Sequence, residues 1–162
     1  MVVYGPPVED LAPLNHDNRP VPGRVNVVTL GVRDFPRMKA FYDELGWRTR
    51  SPGDDFAAYP LGGAVLALYP VELLADDAGR PAPPTADAFR GFSVAINVED
   101  REQVDEVLAA AAKAGAELPA PAEDKEWGGR SGYFFDPEGN AWEVAWLPNL
   151  QFDERGGLFW PF

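Results

Sequence analysis

The sequence predicts an α+β fold built from two tandem βαβββ units, and three observations carry that reading. A strand–V-x-D–helix–G pattern occurs twice: Val32-Arg33-Asp34 returns as Val98-Glu99-Asp100, and Gly46 returns as Gly115. Both helical windows carry a single apolar stripe at i, i+3, i+4 and i+7. Finally, GYFFDPEGNAWEVAW (132–146) reads as strand, tight turn, strand, with one carboxylate, Glu143, inside the second apolar run.

Each element follows in order. Residues 1–23 are rich in Pro, Gly, Asn and Asp without periodicity and are expected to form an irregular arm over the domain or a partner subunit. VNVVTLGV (25–32) is a strand, after which Asp34 caps a helix at 35–45. Met38, Phe41, Tyr42 and Leu45 form its stripe, and Gly46 supplies the left-handed C-terminal cap. Short strands are expected near 47–51, 56–61 and 64–69. The polar, Pro-rich stretch 70–90 reads as a linker or mobile flap, so unit one spans 24–70 and the linker 71–90.

GFSVAINV (91–98) begins unit two, which runs 91–148. Asp100 is expected to cap the second helix, with Gln103 in the capping-box position and Val104, Val107, Leu108 and Ala111 as its stripe. Strands follow near 116–120, 130–135 and 141–147. Asp136-Pro137-Glu138-Gly139-Asn140 forms the last turn: Pro presets φ and Gly takes the left-handed position. The aromatic tail 149–162 is expected to pack on the body or across a dimer.

Composition narrows the function. The 162 residues suffice for one domain or two small halves sharing a core. A net charge of −12 argues against nucleic acid and anionic membranes, which require a basic surface. The absence of cysteine removes disulfides, thiolate nucleophiles and thiolate metal sites. No apolar run approaches the roughly 20 residues of a membrane span. The N-terminus has no signal pattern, so a cytoplasmic protein is expected. GxSxG, GxxxxGK[ST] and GxGxxG are all missing, which leaves serine-hydrolase and phosphate-loop chemistry unsupported.

The duplicated pattern, together with FYDELGW (41–47) and DPEGNAWEV (136–144), resembles the vicinal oxygen chelate superfamily of glyoxalase I, bleomycin-resistance proteins and extradiol dioxygenases. The resemblance covers about 24–148. It implies that each unit curls into half of a cup and that the cups face a shared cavity. Metal-dependent members place four ligands there, two per unit. Strand parity puts Val27, Thr29 and Gly31 of the first strand on the cup side, and Ser93, Ala95 and Asn97 of the strand at 91–98. By the resemblance the ligand positions fall on Val27, Ser93, Ala67 and Glu143. Only Glu143 among them binds a cation well, so no metal or other cofactor is expected.

The remaining candidates follow from this placement. Glu143 is read as a general base, as an anchor for a cationic or hydroxylated ligand, or as a carboxylate merely paired with Ser93, Asn97, Tyr133 or an Arg. Trp127 and Arg130 lie in a Gly-rich loop that either closes over a ligand or forms a hairpin crossover. Tyr69, Tyr133 and Phe135 either line an aromatic pocket or fill the cup. Trp142 and Trp146 have the opposite parity and are read as core. His16, the single histidine, falls in the arm.

The reading is therefore a metal-independent small-molecule binding protein, expected as a homodimer with an organic ligand as partner. The expected ligand-binding residues are Ser93, Asn97, Tyr69, Trp127, Arg130 and Tyr133, with Glu143 as the reactive or anchoring group. A lyase or isomerase using Glu143 as base, with or without a weakly held divalent ion, is the alternative. A protein-interaction role through the acidic surface and aromatic tail is a third.

Overall fold

The computed structural model describes residues 24–50, 53–85 and 88–159. The N-terminal arm and His16 lie outside them. Unit one contributes β1 (Val27–Val32), α1 (Phe35–Glu44), β2 (Ala57–Pro60) and β3 (Val65–Pro70), followed by α2 (Val71–Asp77). Unit two contributes β4 (Val94–Asn97), α3 (Gln103–Ala114), β5 (Glu123–Asp124), β6 (Arg130–Phe135) and β7 (Ala141–Trp146). A terminal hairpin, β8 (Gln151–Phe152) and β9 (Leu158–Phe159), completes the described chain.

The two units share one strand logic. In the first sheet the order is β1-β3-β2, with β1 parallel and β2 antiparallel to β3. In the second it is β4-β7-β6-β5, with β4 parallel to β7 and β6 antiparallel to it. Thr29 stands opposite Ala67, and Ala95 opposite Glu143. Ala67 and Glu143 therefore hold equivalent places in their sheets, as the alignment of Gly63 with Gly139 requires.

Local chemistry explains the helices. Asp34 accepts from the Arg37 amide at 3.1 Å and caps α1, which carries Pro36 in its first turn. Gly115 ends α3 at φ 107°, a left-handed conformation that costs other residues energy. The start of α3 differs from the expected Asp100 cap. Its N-cap is Glu102, whose side chain makes no capping bond, and Gln103 Oε1 instead accepts from the Glu99 and Asp100 amides at 3.0 and 3.1 Å. The reaching-back half of the capping box forms, and the helix begins after an extra turn.

Two expected strands are replaced. Over 47–50 no strand forms: Arg50 N bonds Ala58 O at 3.1 Å, Trp47 N bonds Tyr42 O at 3.3 Å, and Trp47 turns inward to stack on Tyr42 at 5.4 Å. Near 116–120 a single bridge joins Glu117 to Phe135, and pairing resumes only at β5. Pro119 and Pro121 interrupt that stretch, since neither donates a backbone hydrogen bond. The expected linker 71–90 also contains structure, for its first seven residues form α2.

Both units bury their helix-bearing faces in one core. Met38, Phe41 and Tyr42 of α1 and Val104, Leu108 and Ala111 of α3 join Leu30, Tyr59 and Leu68 of the first sheet and Phe134, Trp142 and Val144 of the second. Phe41 meets Phe134 at 6.4 Å, and Trp142 meets Tyr42 at 5.9 Å and Trp47 at 5.5 Å. The units thus stand back to back, and their cup faces point apart.

The turn between β6 and β7 locks this arrangement. Asp136 is buried and accepts four hydrogen bonds: from Tyr42 Oη at 2.7 Å, Asn140 Nδ2 at 2.8 Å, and the Asn140 and Glu138 amides at 2.9 and 3.0 Å. Glu138, also buried, accepts from the Arg33 amide at 2.8 and 2.9 Å and from the Asp34 amide at 2.7 Å. A carboxylate from unit two therefore satisfies free donors at the start of α1 in unit one, with favourable helix-dipole electrostatics. Arg90 reaches the same turn, bonding the Asn140 side chain and the Glu138 carbonyl.

Candidate functional site

The cup face of unit two gathers the polar side chains that the core excludes. Ala95, Glu143 and Tyr133 lie side by side across β4, β7 and β6. Ser93 precedes β4 on the same side of the sheet, near the Tyr133 hydroxyl. Burial and then the Glu143 charge raise the Tyr133 phenol above its ordinary value. That phenol therefore stays protonated at neutral pH. Small residues, Ala95 and Ala145, flank Glu143. Ser93 and Ala95 are exposed and Tyr133 is 37 % exposed, so the cup is an open face of the single chain.

Lys125 and Glu123 complete this face, and the sequence reading did not single them out. Glu123 stands opposite Ser131 in the β5–β6 ladder, and the Lys125 ammonium pairs with the Glu123 carboxylate while its charge reaches Tyr133. Their alternation with Asp124 was the available signal, obscured by the prolines before β5.

The other expected site residues separate from this cluster. Asn97 donates to the Ala145 carbonyl at 3.4 Å, at the far end of β4. Arg130 points to α3, where it forms a two-pronged pair with Asp105 at 2.9 Å and a second contact with Asp124 at 3.3 Å. Those bonds hold Asp105 below its ordinary carboxylate range and direct the guanidinium away from the cup. Trp127 lies against Gly129, where a Cβ would fall 1.7 Å from the indole. Lys125 N donates to Gly129 O at 2.8 Å and Gly128 N to Lys125 O at 2.9 Å. The Gly-rich loop is thus a tight hairpin turn between β5 and β6. Tyr69 belongs to the other cup, edge-on to Phe56 at 6.2 Å.

The cup of unit one is apolar and partly covered. Val27 is 53 % exposed, whereas Ala67 is buried. A Cβ on Gly31 would meet Val71 and Leu74 at 3.0 and 3.1 Å, which places α2 on the cup side of β1. Val27 and Ala67 carry no donor atoms. Among the described residues, no group of three His, Cys, Asp or Glu side chains is placed to hold a metal ion. The donor set does not fit the four-ligand metal of the superfamily. A separate cavity of about 530 Å³ lies between the units, floored by Trp47 and Trp142 and closed by Phe152 and Leu158 of the terminal hairpin.

Comparison with known proteins places this geometry in a family. The family model described as Glyoxalase/Bleomycin resistance protein/Dioxygenase superfamily matches residues 24–144. A glyoxalase-related enzyme from Fulvimarina pelagi is 30 % identical, with TM-score 0.79 over 86 % of this chain and 99 % of that one. A glyoxalase/bleomycin resistance protein/dioxygenase from Nocardioides is 26 % identical, with TM-score 0.67 over 85 % and 92 %. A lactoylglutathione lyase from Agrobacterium tumefaciens, 22 % identical with TM-score 0.59 over 78 % and 95 %, shares the fold. No curated protein matches the sequence. The matched span includes both units, the cup with Glu143 and the interlocking turn, and on that basis the chain belongs to the glyoxalase/bleomycin resistance protein/dioxygenase superfamily.

Proposed function

We propose that the protein binds a small organic molecule over Glu143 in the cup of unit two, without a metal, and does so as a homodimer. The observation that supports it is the register that sets Glu143 between Ala95 and Tyr133 on an open sheet face. A carboxylate beside a phenol and small alanines suits recognition: it fixes one polar group of a ligand while the surroundings accept its apolar body.

A second copy supplies the missing wall. Within the described chain, β1 pairs only with β3 and β4 only with β7, so each stands at an edge of its sheet. Val25, Val27 and Phe92 are exposed beside those edges. A two-fold related copy that sets its β1 edge against this β4 edge joins the two cups and covers the apolar residues. Sedimentation is then expected to give twice the 17.7 kDa chain mass, and a concentration-independent monomer contradicts the dimer.

The Tyr133–Glu143 pair also supplies an acid and a base in contact, which supports the lyase or isomerase alternative. One experiment separates the readings: thermal shift with a fragment library and a divalent-metal panel, run on the wild type and Glu143→Gln. Binding predicts fragments that raise Tm in the wild type and less in the variant, with no metal response that depends on Glu143. A Glu143-dependent metal shift overturns the metal-free reading.

A further inference from the structure

We propose that the cavity of about 530 Å³ between the units is a second binding site, for a neutral aromatic molecule, with the terminal hairpin as its lid. It is separate from the cup: neither Glu143 nor Tyr133 lines it. Its volume falls within the roughly 300–1,000 Å³ typical of small-molecule sites. Trp47 supplies the aromatic surface. Tyr42 stacks on this indole at 5.4 Å and Trp142 meets it edge-on at 5.5 Å, yet it remains only half-buried. A ring fixed by two aromatic neighbours and still open to a cavity is prepared to receive a third, stacked or edge-on.

Charge narrows the ligand class. Asp, Glu, Lys and Arg make up 25 % of the chain, and none of them lines this cavity. A charged ligand entering it loses its water and meets no counter-charge, whereas a neutral aromatic body gives up little. The cup of unit two, with Glu143, Glu123 and Lys125 on its face, offers the opposite environment.

The walls account for the open space and for its closure. In unit two the turn joining the last two strands is Asp136–Asn140, and its Asp, Glu and Asn side chains all take up hydrogen bonds. In unit one the corresponding turn is Leu61-Gly62-Gly63-Ala64, one residue shorter and without a polar side chain, and the cavity opens on it. The bare Gly62 lets the hairpin close down, since a Cβ there would fall 2.4 Å from the Arg155 carbonyl. The hairpin is a light lid of two two-residue strands. Among the described residues its side-chain hydrogen bonds are internal, from the Arg155 and Gly157 amides to Asp153 at 2.8 Å. Phe152 and Leu158 meet the cavity by apolar contact, which local opening breaks at small cost. The hairpin also follows the family span of 24–144, so the roofed site belongs to this chain's own extension.

Three probes with one skeleton test the assignment: naphthol (neutral), naphthoate (anionic) and naphthylmethylamine (cationic), each substituted at the same ring carbon. Each is titrated by calorimetry into the full chain at neutral pH, and amide chemical shifts locate the contact. Naphthol is expected to bind at least about tenfold more tightly than either charged probe. It is expected to shift the amides of 61–64, 94–97 and 152–158. Ala64 shares strand parity with Leu66 and Leu68 of the core, so Ala64→Phe puts its ring into the cavity and weakens naphthol at least about tenfold. Gly62→Val, which displaces the lid, weakens it about fivefold. A charged probe bound as tightly as the neutral one, shifts centred on Tyr133 and Glu143, or unchanged binding in either variant overturns the assignment. Silence of all three probes overturns it as well. The wild-type shifts decide the matter even where a variant fails to fold.

Discussion

Asp136 and Tyr42 show how much of this fold rests on single polar contacts within an aromatic core. Tyr42 is fully buried, donates to Asp136 and accepts from Trp142 Nε1 at 3.1 Å. Replacing Asp136 by Ala strands that hydroxyl and three further donors, so unfolding in urea is expected to show a loss of about 3 kcal/mol. Burial, followed by the Asp136 charge, raises the Tyr42 phenol well above 10.0. The sign of its linkage is fixed: below pH 10.0 both states keep the proton, and above it only the unfolded chain loses it. Stability therefore falls as pH rises past that value. Tyr42→Phe is expected to flatten the alkaline limb of a Tm-against-pH curve, and an unchanged limb contradicts this account. The carboxylate of Glu143 differs from that of Asp136 in kind. It lies on the open cup face beside Ala95 and Tyr133 rather than inside the core.

At the scale of elements, the sequence was most legible where chemistry repeats along the chain. The duplicated V-x-D pattern, the stripes of α1 and α3, and the Gly115 cap all register in spacing alone, because local propensity and core-facing periodicity agree. The Asp136–Asn140 turn was legible as a turn but not as a clasp, since the amides it caps lie about a hundred residues away. Helix α2 was hidden because VELLADD is short, follows a strand without a break and carries its apolar residues in one turn. Arg130 was misplaced among cup residues for a related reason: its partner Asp105 comes from another element, and strand parity alone cannot name it. The terminal hairpin lies beyond the matched family span and closes on Gly62, where a Cβ would come within 2.4 Å of the Arg155 carbonyl. Gly62→Val is expected to expel it. Hydrogen exchange at 151–159 then rises toward that of free chain, while Tm changes by only a few degrees, about the effect of 1 kcal/mol. Persistent protection of the hairpin contradicts that packing.

On the scale of the whole molecule, two curved sheets press their helices together and turn their cups outward. Glu138 joins them as an inter-unit contact, and its loss takes that partner from the Arg33 and Asp34 amides just before α1. Glu138→Ala is expected to lower stability by about 2 kcal/mol and to weaken exchange protection at the start of α1 before that of α3. No helix of the described residues is long and apolar enough to cross a membrane. One cup is lined mainly by apolar residues and partly covered by α2, and the other is polar and open, so the duplicated units differ on their cup faces. The most direct test is a crystal structure of the protein soaked with fragments and examined beside Glu143. The account predicts an organic molecule touching Glu143 or Tyr133, with the apolar cup of a second copy as its facing wall. A divalent ion held by Glu143 and other protein side chains, or a cup filled by the protein's own residues, would contradict it.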